Sequence, residues 1–104
     1  MATYTPKTLV EAAALTASAV TVYDPSSVVG IMRTIQCSAN AASKTFTLSI
    51  GTDGAGTRIF DAYQLTANVP AIFNGWWTVS DAKVVQAKAG DTVPVLYVGG
   101  YEYA

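Results

Sequence analysis

Histidine is missing from this chain. With it go the arrangements in which an imidazole takes a proton from a serine or cysteine, and most transition-metal sites. Carboxylates remain for acid–base work. Asp24, Asp53, Asp81 and Asp91 stand in turn-like contexts, where Asp is favoured because its side chain bonds nearby backbone donors. Asp61 lies inside a β-like run three residues after Arg58; residues three apart on a strand point to opposite faces, so no contact between them is expected. The single cysteine, Cys37, has no disulfide partner and no imidazole to activate it, and alternates with Ile31 and Ile35 as a small buried hydrophobe. The glycines of residues 51–56, GTDGAG, would let backbone amides face an anion, but the Lys-Ser/Thr ending of a P-loop and the third glycine of a dinucleotide fingerprint are lacking, and a strand follows instead of a helix. Asp53 has no spaced acidic partners of the kind a calcium loop needs. These residues imply no catalytic group, no cofactor and no metal.

The residues suited to binding are aromatic. Trp76 and Trp77 are adjacent, so in a strand one points inward and the other outward. The outward one, with some of Tyr97, Tyr101 and Tyr103, offers an amphipathic surface suited to a sugar ring or a protein neighbour. Tyr4 is the one sizeable anchor of the N-terminal segment.

Strands must position these groups. The clearest signal is residues 43–64, where Phe46, Leu48 and Ile50, then Ile59, Phe60 and Tyr63, flank the glycine-rich connection; alternation on both sides of an Asp-Gly pair marks a hairpin. Residues 1–6 read as a flexible arm closed by Pro6, and residues 7–104 as a single β-sandwich domain. Within it, residues 7–11 form a first strand, residues 12–19 a loop and residues 19–23 a strand ended by Asp24-Pro25. Residues 28–39 form a long strand with Ile31, Ile35 and Cys37 on one side, Met32, Thr34 and Gln36 on the other, and Arg33 on the apolar side, snorkelling to water or paired with a carboxylate. Residues 38–43 turn the chain. Residues 71–79 are one strand bulged at Gly75, or two short strands joined by an Asn74-Gly75 turn. Residues 83–88 follow, a turn covers residues 89–91, and residues 92–103 close the chain, with Pro94 placing that strand at an edge or marking its start. Seven to eight short strands without a helix predict an all-β, antiparallel two-sheet β-sandwich or jelly roll.

Composition narrows the partners. Charged residues are 12% of the 104, about half the usual share, and the six basic ones are scattered among seven acidic ones. No basic stripe exists to neutralise phosphates, so nucleic acid is not an expected partner. Nor does any apolar run reach the roughly 20 residues of a membrane helix. The first residues show no secretory signal, which makes the cytoplasm the expected place of synthesis. A surface of Thr, Ser, Ala and Tyr is poorly protected against association, as though part of it is normally covered.

Several stretches taken together carry a resemblance: Val22-Tyr23-Asp24-Pro25 before the long strand, residues 56–61 (GTRIFD) after the glycine loop, Gly75-Trp76-Trp77, and Ala89-Gly90-Asp91-Thr92 before the last strand. In order and spacing, from Val22 onward, the chain resembles small β-sandwich virion structural proteins of tailed bacteriophages. The resemblance implies no enzyme activity and no cofactor. It implies a virion location after assembly in the host bacterial cytoplasm, with the major capsid protein or other virion proteins as partners and a homo-oligomer, a trimer foremost. Within that class the expectation is a capsid decoration, or cement, protein that binds the capsid lattice and stabilises the head. A tail or fibre accessory protein is the alternative, and a carbohydrate-binding module the alternative from another class. Tyr4, Trp76, Trp77, Tyr97, Tyr101 and Tyr103 are the contact candidates.

Overall fold

The computed structural model describes residues 3–40, 44–90 and 94–104. Eight strands account for most of them: β1 (Tyr4–Ala14), β2 (Val20–Tyr23), β3 (Val29–Ser38), β4 (Lys44–Ile50), β5 (Arg58–Leu65), β6 (Ala71–Val79), β7 (Val85–Ala89) and β8 (Val95–Tyr103). Strand β1 pairs with β8, β2 with β7, β3 with β6 and β4 with β5, all antiparallel. The chain is thus one long ribbon folded back on itself at the β4–β5 turn. Rolling that ribbon sets β8 against β3 and β7 against β4, which yields two four-stranded sheets, β1-β8-β3-β6 and β2-β7-β4-β5. This is the jelly-roll form of the expected sandwich.

One core lies between the sheets. Met32, Ile35, Cys37, Val79, Leu96 and Val98 come from the first, and Phe46, Leu48, Leu65, Val85 and Ala87 from the second. The inward residues recur at every second position because the pleat sends alternate side chains to opposite faces. Cys37 is wholly buried here, and burial pushes its thiol up to about 12. Hydrogen-bonded polar groups close one end of the sandwich: the Tyr23 hydroxyl donates to Glu102 Oε2 at 2.6 Å and Lys7 Nζ to Oε1 at 3.0 Å. Gly30 lies directly over the Tyr23 ring, where a Cβ would overlap it.

The hairpin and the reversal after Tyr23 are as the sequence indicates, and of the two readings of residues 71–79 the structure has the single bulged strand. Pro94 directly precedes β8, a strand central to its sheet, so it marks a start and not an edge. Other expectations are corrected. Tyr4, Thr5 and Pro6, expected in a free arm, pair with Tyr103, Glu102 and Tyr101; a polar segment with few apolar groups still joins a sheet when a partner strand supplies its backbone bonds. Met1 and Ala2 lie outside the described residues. Strand β1 also runs on to Ala14, across a register shift between Val10 and Ala13, where Ala12 takes a left-handed φ of 49°. Along β3, Met32 joins Ile35 and Cys37 in the core, while Ile31 is buried on the opposite face, because a register shift between Met32 and Thr34 reverses the phase. The expected turns at residues 38–43 and 89–91, and the start of the expected last strand at residue 92, fall partly on residues 41–43 and 91–93, outside those described.

Candidate functional site

The two outward faces of the sandwich differ in chemistry. On the β2-β7-β4-β5 sheet the β4–β5 loop folds back and sets Asp53 over the strands. Its carboxylate accepts from Ser49 Oγ at 2.9 Å and from Arg58 Nε at 3.0 Å, and lies 3.1 Å from Lys88 Nζ. Its backbone amide donates to Gln86 Oε1 at 3.0 Å. Arg58 foremost, then Lys88, hold the Asp53 carboxyl well below the usual carboxylate range. Arg58 also reaches Asp61 at 3.2 Å. That contact, not expected from strand geometry, arises because β5 carries two register shifts against β4 and a left-handed Ala62, so faces three residues apart no longer oppose. Asp53, expected only to bond its local backbone, is the centre of an ion network whose charges are matched within the domain.

The outward face of the β1-β8-β3-β6 sheet has almost no charge. Its register sets Tyr97 beside Gln36 and Ile72, Gly99 beside Thr34 and Asn74, and Tyr101 beside Ile31 and Thr78. None of these carries a charge. Pairing brings Tyr4 over Tyr103, with ring centroids 4.8 Å apart, and edge-on to Tyr101 at 6.5 Å. Gly99, where a Cβ would meet nothing within 4 Å, opens a hollow of about 310 Å³ between Thr8, Thr34, Gln36 and Tyr97.

The tryptophans divide as alternation requires. Trp77 turns inward, packed on the core with its ring 6.2 Å from Phe60; Trp76 is 56% exposed on the sparsely charged face. Opposite it, where Gly75 and Trp76 together face one residue of β3, Arg33 donates from Nε to the Gly75 carbonyl at 2.7 Å and lays its guanidinium 4.9 Å over the Trp76 ring. The same phase reversal that buries Met32 takes Arg33 off the apolar side. It neither snorkels from the core nor pairs with a described carboxylate, but spans the bulge and stiffens Trp76 by a cation–π contact.

Five of the six aromatic candidates therefore share one face: Tyr4, Trp76, Tyr97, Tyr101 and Tyr103. Trp77 does not. Sequence reasoning missed Arg33 and Ile72 as members of that face. Gly75, read as a bulge, was the available signal, since a bulge shifts the phase of its neighbour. Among the described residues, no group of three or more His, Cys, Asp or Glu is placed to hold a metal ion, and no helix is long and apolar enough to cross a membrane.

The chain is an eight-stranded jelly roll with one aromatic-rich outward face, an architecture that by itself defines no ligand. No protein-family model matches the chain, and no curated protein matches it. Among solved structures it is similar to a chain in the crystal structure of the infectious bursal disease virus VP2 subviral particle, with a TM-score of 0.55 and 10% identity over 98% of this chain and 32% of that one. A chain in the structure of the infectious bursal disease virus Gx strain gives the same TM-score and coverage at 13% identity. At these identities the likeness is one of fold. This chain spans about a third of the length of those proteins.

Proposed function

We propose that this protein is a structural component of a virion, and within that class a capsid decoration protein of a tailed bacteriophage that docks on the major capsid lattice. The observation that carries the reading is the sparsely charged outward face of the β1-β8-β3-β6 sheet, where Tyr4, Trp76, Tyr97, Tyr101 and Tyr103 stand on paired strands with Arg33 laid over Trp76, while the opposite face satisfies its own charges. A broad aromatic patch with little charge suits a permanent protein contact. Support also comes from the fold, which it shares with chains of virus particles, and from the sequence resemblance to phage virion proteins. The function follows from contacts alone: hydrophobic and hydrogen-bonded area added across capsomer junctions, repeated over a shell.

Quantitative mass spectrometry of purified particles tests this. Hundreds of copies per particle, in fixed proportion to the major capsid protein, are expected. A handful of copies moves the protein to the tail or fibre, and absence from particles overturns the virion reading. The carbohydrate-binding alternative finds less support, because Arg33 covers one face of the Trp76 ring on which a sugar would stack.

A further inference from the structure

Two sheets of four strands have four edges, and an open edge is a template for pairing with another chain unless something blunts it. Three of the four are blunted. Strand β1 carries Pro6, Lys7 and Glu11, two register shifts and the left-handed Ala12. Strand β2 is four residues long and runs into Asp24-Pro25. Strand β5 has two register shifts, the left-handed Ala62, and the charges of Arg58 and Asp61. Strand β6 is the least protected, with Pro70 just before its start and one register shift against β3. Its nine residues, AIFNGWWTV, include no charge and no proline, and none has a positive φ. Among the described residues it pairs only with β3. Its one irregularity faces β3, where Arg33 takes up the Gly75 carbonyl.

A second observation lies beside that edge. Phe73 and Trp77 of β6 meet Phe60 and Tyr63 of β5 across the side of the sandwich, with ring centroids 4.5 Å apart for Phe60–Phe73, 5.1 Å for Tyr63–Phe73 and 6.2 Å for Phe60–Trp77. The first two rings and that of Trp77 are half-buried, and Tyr63 is exposed. An apolar seam thus runs next to a row of open backbone donors and acceptors.

We propose that the β6 edge is an interface for a second copy of this chain, which adds its own β6 antiparallel about a two-fold axis at Gly75. The strand suits itself. Pairing about residue 75 sets Ile72 against Thr78, Phe73 against Trp77 and Asn74 against Trp76 of the other copy, so every outward residue meets an outward one and every inward residue an inward one. No like charges meet, since the strand has none. The apolar seams of the two copies come together beneath the joined edge, and the two aromatic faces fuse into one surface of double width. This pairing stands apart from the virion reading, because it rests on the edge and not on what the outward face binds.

Sedimentation velocity of the purified chain from about 1 to 100 μM tests it. The chain should form a concentration-dependent dimer, and the exchange of β6 amides should slow as the dimer fills. Ile72 and Thr78 are both exposed, so I72K/T78K, which sets lysine against lysine twice across the axis, should keep the wild-type circular dichroism and weaken the dimer about tenfold. I72K/T78E retains the same lysine but sets it against glutamate, and should restore the dimer. A wild-type monomer at every concentration, a trimer, or equal dimerisation of the two double variants would overturn the proposal.

Discussion

At the scale of single residues, neighbours of like type have opposite duties. Trp77 is packed on the core and Trp76 is not. Trp77→Ala should therefore cost about 3 kcal/mol of stability, whereas Trp76→Ala should leave the melting temperature within a degree or two and, on the proposed virion reading, lower occupancy on particles; calorimetry and particle binding separate the two. The adjacent glycines of β8 divide in the same way. A Cβ on Gly100 would run into the Ile31 carbonyl of β3, while one on Gly99 meets nothing. Gly100→Ala should cost about 3 kcal/mol, because backbone cannot step aside, and Gly99→Ala should be neutral or stabilising by up to about 1 kcal/mol through reduced chain entropy, as denaturant midpoints will read. Ionisable groups set the pH range. Asp53, through Arg58 and Lys88, and Glu102, through Tyr23 and Lys7, are both held below the ordinary carboxylate range. Their contribution is present above the unfolded carboxylate pKa of about 4 and is lost as pH falls through the folded values. Tyr23 is shifted the other way, upward, by burial first and by Glu102 second. Its contribution is present below the unfolded value of about 10 and is lost as pH rises beyond it. Melting temperature against pH should show a plateau with an acid and an alkaline limb, the acid limb flattened in Asp53→Asn and the alkaline limb in Tyr23→Phe.

At the scale of elements, β1 shows how a segment with little apolar area is held. Tyr4 to Pro6 contribute three backbone pairings with β8, and Tyr4 lays its ring against Tyr103 and Tyr101. Each aromatic pair is worth about 0.5–1.5 kcal/mol beyond its buried area. Deleting residues 1–6 should therefore lower the melting temperature of the isolated domain by several degrees, about 4–8 °C for each kcal/mol lost. An unchanged melting temperature would mean that these residues add nothing to the sheet. The β4–β5 hairpin differs in kind. Its two strands lie close in sequence, and its loop is tied down by Asp53 to Ser49 and Arg58 within the hairpin and to Lys88 of β7.

At the scale of the whole molecule, the rolled ribbon sets the folding rate and the asymmetry of the surface together. Tyr4 meets Tyr103, contacts that close almost the whole chain into a loop, and such non-local pairing slows folding into the range of about milliseconds to seconds. Stopped-flow tryptophan fluorescence should show that slow phase, since Trp77 is buried only once β6 docks on the core; a microsecond phase carrying the full amplitude would contradict it. The same rolling turns one sheet's polar network and the other sheet's aromatic face in opposite directions. On the proposed virion reading, a particle surface is engaged on one side while the other stays solvated.

Features local in period are legible in the sequence. Alternation of Phe46, Leu48 and Ile50 around a glycine-rich reversal fixed the hairpin, Asp24-Pro25 fixed the turn after β2, and the lack of any 3.6-residue apolar stripe fixed the all-β class. That an aromatic surface exists is legible too, because adjacent Trp76 and Trp77 cannot both point inward. Only the tertiary structure decided which of them is outward, that Arg33 lies over Trp76, that Met32 and not Ile31 enters the core, and that Arg58 meets both Asp53 and Asp61. The placing of Arg33 and Met32 turns on a register shift in β3. A shift is a mismatch in count between two paired strands, and strands such as β3 and β8 lie far apart along the chain. No window of sequence short enough to show a pattern contains both of them.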